Sequence, residues 1–387
     1  MKIFVPNLAF EDELAGNPAS LSRSAEQVVC DFGPLMKLLG CDDDMVISAD
    51  QPLPAAVGDE PCTVVPWGWT ESTRSIGISA GMQPSDIPSL EAVRIANSRV
   101  FSSSFDRIHT TGPLTEPFEK SFGRPCDSLD AWHTAAKRLA EFGYDDWITK
   151  PEHSHAGRNR LQGGGPELTD RQGKWLRNHF AAGRSVWLEP RVRISQEWGL
   201  QFSVDPPDHN RPDDRIRLDG VTGLLNDRSG QYVGSIIGLT CENDKFLKPA
   251  IEHGLQVCRA AAELGYFGPV GIDCFAFRTA GGDDAVRLCS DVNARCTMGR
   301  LALQLMPQLS GGEVGVWYRL SAQRFAAICD SDGKTPAQLY LRNVRAVVVG
   351  PEKPPAATTG TVMVLFAEKS AERLPELTAM LSEAAKQ

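Results

Sequence analysis

Two apolar stretches in the last third of the chain end in oxygen-bearing side chains. The first is Gly271-Ile272-Asp273-Cys274-Phe275, and the second is Ser290-Asp291-Val292-Asn293-Ala294-Arg295. Both read as strands, close enough in sequence to be neighbours. Asp273, Asp291 and Asn293 would then stand together, with Arg295 just behind. Hard oxygen ligands beside a guanidinium suit a magnesium ion that holds phosphates. Such groups at the ends of apolar strands need partners, because burying them unpaired costs several kcal/mol. A divalent cation is one such partner; Arg287 or Arg295 is the structural alternative.

Three upstream features fall in an order that extends this chemistry. Lys150 ends a strand-like run, Trp147-Ile148-Thr149-Lys150, and Pro151 follows. A lysine there can reach into a cleft as a point charge for phosphate oxygens; otherwise it is a solvated surface residue. Next comes Ser154-His155-Ala156-Gly157-Arg158-Asn159, whose small residues allow backbone N–H groups close to an anion, with Arg158 adding a charge. An ordinary loop is the alternative. His153 and His155 lack a third ligand at metal-site spacing. Then Val186-Trp187-Leu188-Glu189-Pro190-Arg191 leads to Glu197. A strand ending in a polar hinge can offer backbone groups to a base edge, and a carboxylate further on can accept from ribose hydroxyls. A pair of surface carboxylates is the competing reading.

These residues need a scaffold, and 387 residues are too many for one ordinary core. Hydrophobic residues make up 42% and charged residues 23%, which places the chain among folded globular proteins. A net charge of -9 argues against nucleic acid or an anionic membrane as the main partner. No run has the length of a membrane span, and the opening residues lack the apolar core of a signal peptide. Ten cysteines at irregular spacing, with no C-x-x-C pair, predict buried reduced thiols and a cytoplasmic location.

Along the chain, strand-like and helical patterns alternate up to residue 95, predicting a small α/β unit over 1–95. Ser89 is a candidate cap for a helix over 89–98. A second unit is predicted over 96–184. It has a helix from Leu129 to Phe142 capped by Ser128, the Lys150 strand, a glycine-rich stretch to Gly165 read mostly as loop, and a helix from Thr169 to Ala182. A third unit over 185–312 holds separate strands at Ile216–Leu218 and Val221–Leu225. It continues with a helix from Leu247 to Leu264 and a hairpin joined through Gly281-Gly282-Asp283-Asp284. Residues 313–387 form a C-terminal extension with two strands and a terminal helix.

The order strand-Lys-Pro, small-residue loop, hinge Glu, second Glu, Asp and Asp-x-Asn-x-Arg resembles the ATP-grasp superfamily over residues 96–303. The first unit resembles the Rossmann-like domain that precedes many ATP-grasp modules. The fold class expected is therefore α+β with an α/β N-terminal domain. Pro66-Trp67-Gly68-Trp69, Ala96-Asn97-Ser98-Arg99 and Asn293-Ala294-Arg295-Cys296-Thr297-Met298-Gly299 are similar to a bacterial group within that superfamily. The resemblance implies that Lys150 reaches the α- and β-phosphates of ATP and that Ser154, Gly157 and Arg158 belong to a loop closing over them. Leu188, Glu189 and Arg191 would flank the adenine, and Glu197 would hold the ribose. Asp291 and Asn293 would bind Mg²⁺ with Asp273 beside them, and Arg295 would face the γ-phosphate and an acceptor carboxylate. Arg99 stands where many members carry an additional lysine, and Asp291 stands where glutamate is usual.

The activity implied is an ATP- and Mg²⁺-dependent carboxylate–amine ligase working through an acyl phosphate, on a small-molecule acid and amine. Lys150, Arg158 and Arg295 would be its catalytic cations. Two alternatives stay open: a small-molecule kinase on the same site, and an ATP-binding protein without turnover. Arg184, Arg191, Arg193, Arg211, Arg215 and Arg217 would suit an anionic acceptor, or form a solvated basic face. A homodimer is the default assembly.

Overall fold

The computed structural model describes residues 1–14, 32–48, 53, 62–110, 122–152, 160–207, 215–227, 230–239, 244–321, 323–325, 345–348 and 361–384. In chain order their strands are β1 (Lys2–Val5), β2 (Met45–Val46), β3 (Thr63–Pro66), β4 (Ile108–Thr110), β5 (Arg124–Cys126), β6 (Asp146–Pro151), β7 (Leu161–Gly164) and β8 (Val186–Pro190). They continue as β9 (Ile194–Val204), β10 (Ile216–Asn226), β11 (Tyr232–Ile237), β12 (Gly268–Arg278), β13 (Asp284–Asn293), β14 (Val314–Ser321), β15 (Arg345–Val348) and β16 (Thr361–Glu368).

The chain forms two compact units. One gathers Met1–Leu90, Asp219–Thr240 and Arg295–Gln387; the other gathers Glu91–Leu218 and Cys241–Ala294. The first unit opens with a parallel sheet in the order β2-β1-β3. Parallel strands need covered faces, and the apolar run Ile3, Phe4 and Val5 is wholly buried. The same unit holds an antiparallel ladder in which β11 pairs with β10 and β14, and β16 pairs with β14 and β15. Val364, Phe366 and Val316 on that ladder share a core with Leu377 and Leu381 of the terminal helix Leu374–Ala384.

The second unit carries two sheets. In one, β12 lies between β9 and β13, and β4 pairs with the far edge of β13, all antiparallel. In the other the order is β5-β8-β6-β7, again antiparallel. Helices Leu129–Glu141 and Asp170–Ala181 cover one face of this second sheet. Ser128 caps the first as expected, and Thr169, read as the first residue of the second helix, is its cap instead; each accepts a backbone N–H from the first turn. Period-2 alternation decides what each strand residue meets. On β6, Trp147 and Thr149 are buried, Trp147 in the helical core, leaving Ile148 and Lys150 for the opposite face. Trp132 donates its indole N–H to Thr149 Oγ1 at 3.0 Å, both fully buried. Thr149→Val should therefore cost about 1–3 kcal/mol by stranding that donor, read as a lower urea midpoint at unchanged slope.

Three expectations are corrected. The glycine-rich stretch before Gly165 is not all loop, since Leu161–Gly164 pairs with β6. Gly163 is there because a Cβ would collide with the Trp147 ring, so the glycine marks close approach, not a turn. For the same reason β10 is one continuous strand instead of two. Gly220 permits close packing of Leu303, which a Cβ would meet at 2.9 Å. Finally, the helix after Ser89 stops at Ala96, and Ser98 caps a separate short helix, Arg99–Ser104. The helical pattern over 25–39 is described only from residue 32, where Gly33–Leu39 is a 3-10 helix with Pro34 in its first turn.

Candidate functional site

Of the residues expected to meet phosphate, Lys150 lies in the second unit. β6 and β8 pair so that Ile148 faces Glu189 and Lys150 faces Trp187. Val186 and Leu188 turn into the helical core, which puts Glu189 on the other face of the sheet with Lys150, one diagonal step away. Lys150 Nζ donates to Glu189 Oε2 at 2.6 Å.

Glu189 does not serve the lysine alone. Arg287, on β13, donates through Nη1 to Oε2 at 3.2 Å and through Nη2 to Oε1 at 3.3 Å. The same guanidinium grips Asp106 with Nε at 2.9 Å and Nη2 at 2.8 Å. Asp106 Oδ2 in turn accepts the backbone N–H groups of Phe122 and Gly123 at 3.0 and 3.3 Å. The Phe122 ring lies beneath the Arg287 guanidinium, 4.5 Å from its centroid. Side-chain exposure is 0% for Asp106, 4% for Arg287 and 3% for Glu189, but 22% for Lys150.

Burial opposes ionisation of Glu189, yet the charges of Arg287, Lys150 and Arg99 outweigh it and hold the carboxyl well below its ordinary range. Burial pulls the Lys150 ammonium down; Glu189 opposes this, while Arg99 and Arg287 add to it. The sign of the acid response follows. As pH falls below the ordinary glutamate value of 4.5, the unfolded chain takes up a proton that folded Glu189 refuses. Stability is thus fully present above that pH and drains away below it. Glu189→Gln should lose most stability at neutral pH, and its deficit against wild type should shrink as pH falls below 4.5. Urea titrations at a series of pH values check this; a pH-independent deficit would contradict it.

The oxygen ligands expected for a metal lie on β12 and β13. Asp273 stands directly opposite Asp291, with Gly271 opposite Asn293. The Asn293 amide donates to Asp273 Oδ2 at 3.3 Å. Facing carboxylates repel each other, so this pair suits a cation between them. Arg99 Nη2 approaches Asp291 Oδ2 at 3.9 Å. Two carboxylates and an amide are a short ligand set, and no group of three or more His, Cys, Asp or Glu forms a metal cluster among the described residues. Mg²⁺ keeps waters and takes phosphate oxygens instead of a full protein cage, so of the common cations it asks least of such a set.

Arg99 opens the short helix after Ser98 and is nearly buried. Its backbone N–H donates to Glu152 O at 3.2 Å and its Nε to Pro151 O at 3.2 Å. It thereby ties the end of the Lys150 strand to the Asp291 carboxylate. Glu197 is half-buried on β9, opposite Phe275 of β12. Leu188 has its side chain in the helical core, so only its backbone is left for a base edge, and Arg191 is exposed. Arg295 belongs to the first unit. There its Nε lies 2.9 Å from Glu11 Oε1, its Nη1 donates to Cys296 O, and its guanidinium sits near the Phe10 and Trp67 rings. Ser154, Gly157 and Arg158 lie outside the described residues.

Asp106 and the role of Arg287 were not legible in advance. Asp106 sits in no motif. Arg287 carried a signal, a lone cation inside the apolar run Ala285-Val286-Arg287-Leu288-Cys289, and such a residue requires a buried anion. The structure supplies two, neither of them a metal carboxylate. The described cysteines take no part in this chemistry: all but Cys41 are buried, and burial pushes the Cys126 and Cys258 thiols up to about 12.

No family model and no curated protein matches this sequence. Solved structures do match along the whole chain. N5-carboxyaminoimidazole synthetase from Staphylococcus aureus is similar at 9% identity and a TM-score of 0.54, covering 99% of this chain and 97% of that one. The N5-carboxyaminoimidazole synthase of Aspergillus clavatus, solved with ADP and 5-aminoimidazole ribonucleotide, gives 11%, 0.54, 99% and 98% in the same terms. Biotin carboxylase from Campylobacter jejuni, solved as a β,γ-ATP complex, gives 12%, 0.50, 95% and 87%. On this likeness, and with its mixed sheets and helices, the chain has the ATP-grasp fold.

Proposed function

We propose that this protein is an ATP- and Mg²⁺-dependent carboxylate–amine ligase acting through an acyl phosphate on small-molecule substrates. One observation carries the reading: in a single unit, a part-exposed lysine side chain at the end of a buried charge cluster accompanies paired carboxylates fit for a cation. Solved proteins of the same fold were captured with ADP or an ATP complex. The four segments 1–95, 96–184, 185–312 and 313–387 are proposed as its domains, and the cytoplasm as its compartment. No described helix is long and apolar enough to cross a membrane.

In this reading Lys150 binds the α- and β-phosphates, and its tether to Glu189 limits where the ammonium can go. Arg99 adds positive charge beside it. Asp273, Asp291 and Asn293 would hold Mg²⁺, which when bound would neutralise charge developing on the transferred phosphoryl group. The backbone at Leu188 and Glu189 faces the base and Glu197 the ribose, while Arg158 and Arg295 serve the γ-phosphate and the acid. Transfer of the γ-phosphoryl group to a carboxylate releases ADP. Attack by an amine then expels phosphate and forms the amide.

The test is a coupled assay for ADP over panels of acids and amines, with calorimetry for Mg-ATP. ADP release that needs both an acid and an amine supports the ligase. A phosphorylated product without an amide moves the assignment to a kinase, and no Mg-ATP binding removes it altogether.

A further inference from the structure

The chain of contacts behind Lys150 has a direction. It starts at two backbone N–H groups, those of Phe122 and Gly123, and passes through Asp106, Arg287 and Glu189. It ends at the Lys150 side chain, the one member with appreciable exposure. Stability alone explains this poorly, because well-packed apolar residues commonly match or exceed a buried ion network. Each internal member is fixed by two-point contacts. Arg287 spends its planar fork on two carboxylates at once, something a lysine cannot do. Glu189 has both oxygens engaged by that fork, so its plane is set before Lys150 arrives.

We propose that Asp106 and Arg287 are positioning residues for Lys150, acting through Glu189 to hold the ammonium for a polyphosphate; the proposal rests on the ATP-binding reading above. Arg287 does two things. It orients the carboxylate that orients the lysine, and it shares that carboxylate's charge. With Arg287 present, Glu189 divides its negative charge between two cations, so it neutralises the ammonium less completely and leaves Lys150 N–H donors for phosphate. Without it, Glu189 would be neutralised by Lys150 alone, and the ammonium would close into a local ion pair. Asp106 balances the charge that Arg287 brings into the interior.

The test uses the full chain carrying Asp106→Asn with Arg287→Met. This pair removes one charge of each sign, and the amide oxygen of Asn can still accept from Phe122 and Gly123. Mg-ATP binding is measured by calorimetry beside a urea unfolding curve. The expected result is a cooperative unfolding transition with Kd for Mg-ATP raised about 10- to 100-fold, the range typical when a partner that orients a binding group is removed. Folded protein with a wild-type Kd would overturn the proposal. Should the double variant not fold, Arg287→Lys keeps the charge but cannot grip both carboxylates. The same rise in Kd is expected for it, and an unchanged Kd overturns the proposal equally. Wild-type protein run in parallel separates the two claims: if it binds no Mg-ATP, the functional reading itself fails, whatever the variants do.

Discussion

Arg287→Met should destabilise the protein by about 3–5 kcal/mol, the cost of removing one partner from a buried ion cluster. The guanidinium touches both Asp106 and Glu189. Its loss leaves two carboxylates beside a neutral thioether, with Lys150 still reaching Glu189. Met has nearly the right length and keeps the packing on Phe122, so cavity formation adds little. The measurement is equilibrium unfolding in urea near neutral pH. A loss under 1 kcal/mol would show that water or rearrangement solvates the carboxylates and that the cluster is not a closed network. Adding Asp106→Asn should recover part of the loss, because one stranded charge is removed with it. That sign distinguishes an electrostatic cause from a packing one.

The second large effect concerns chemistry, on the ligase reading. Asn293→Ala should leave the fold intact, since the side chain is only half-buried and its amide, at a strand end, donates to Asp273 at 3.3 Å. Turnover should nevertheless fall about 10²- to 10³-fold, the usual cost of deleting one group that stabilises charge in a transition state. Lys150→Met should lower turnover similarly, but with a different signature. It removes a phosphate contact and one of the two cations on Glu189, so Mg-ATP affinity should fall along with kcat. The Asn293 variant should instead need more Mg²⁺ to reach its maximal rate. Titrating rate against Mg²⁺ and ATP separately distinguishes the two. Full Mg²⁺-dependent turnover by the Asn293 variant would place the metal elsewhere.

Much of this architecture is legible from local signals. Ser128 announced its helix because capping is chemistry between residues three apart. Lys150 before Pro151, and Asn293 after its apolar run, could be placed at strand ends because strand periodicity and turn residues act over short range; Asp273, also read as a strand end, lies mid-strand in β12. The order of those elements also carried the resemblance to the ATP-grasp superfamily, and the fold agrees with it. Glycines were the local signal that misled. At Gly163 and Gly220 the missing Cβ answers a side chain approaching from elsewhere, Trp147 across the ladder and Leu303 much later in the chain. A window of neighbouring residues cannot contain that information.

The sequence by itself determined which strands and helices carry most of these residues, because propensity, capping and alternation depend on nearby residues alone. It could not determine who partners whom. Glu189 looked like a free hinge carboxylate and Arg295 like a free cation, yet in the fold Glu189 belongs to Lys150 and Arg287, and Arg295 to Glu11. Asp106 and Arg287 are 181 positions apart and share no motif. Only tertiary structure decided that pairing. A buried charge must find its opposite wherever the backbone brings one, and that is settled by how the two sheets of the second unit pack together.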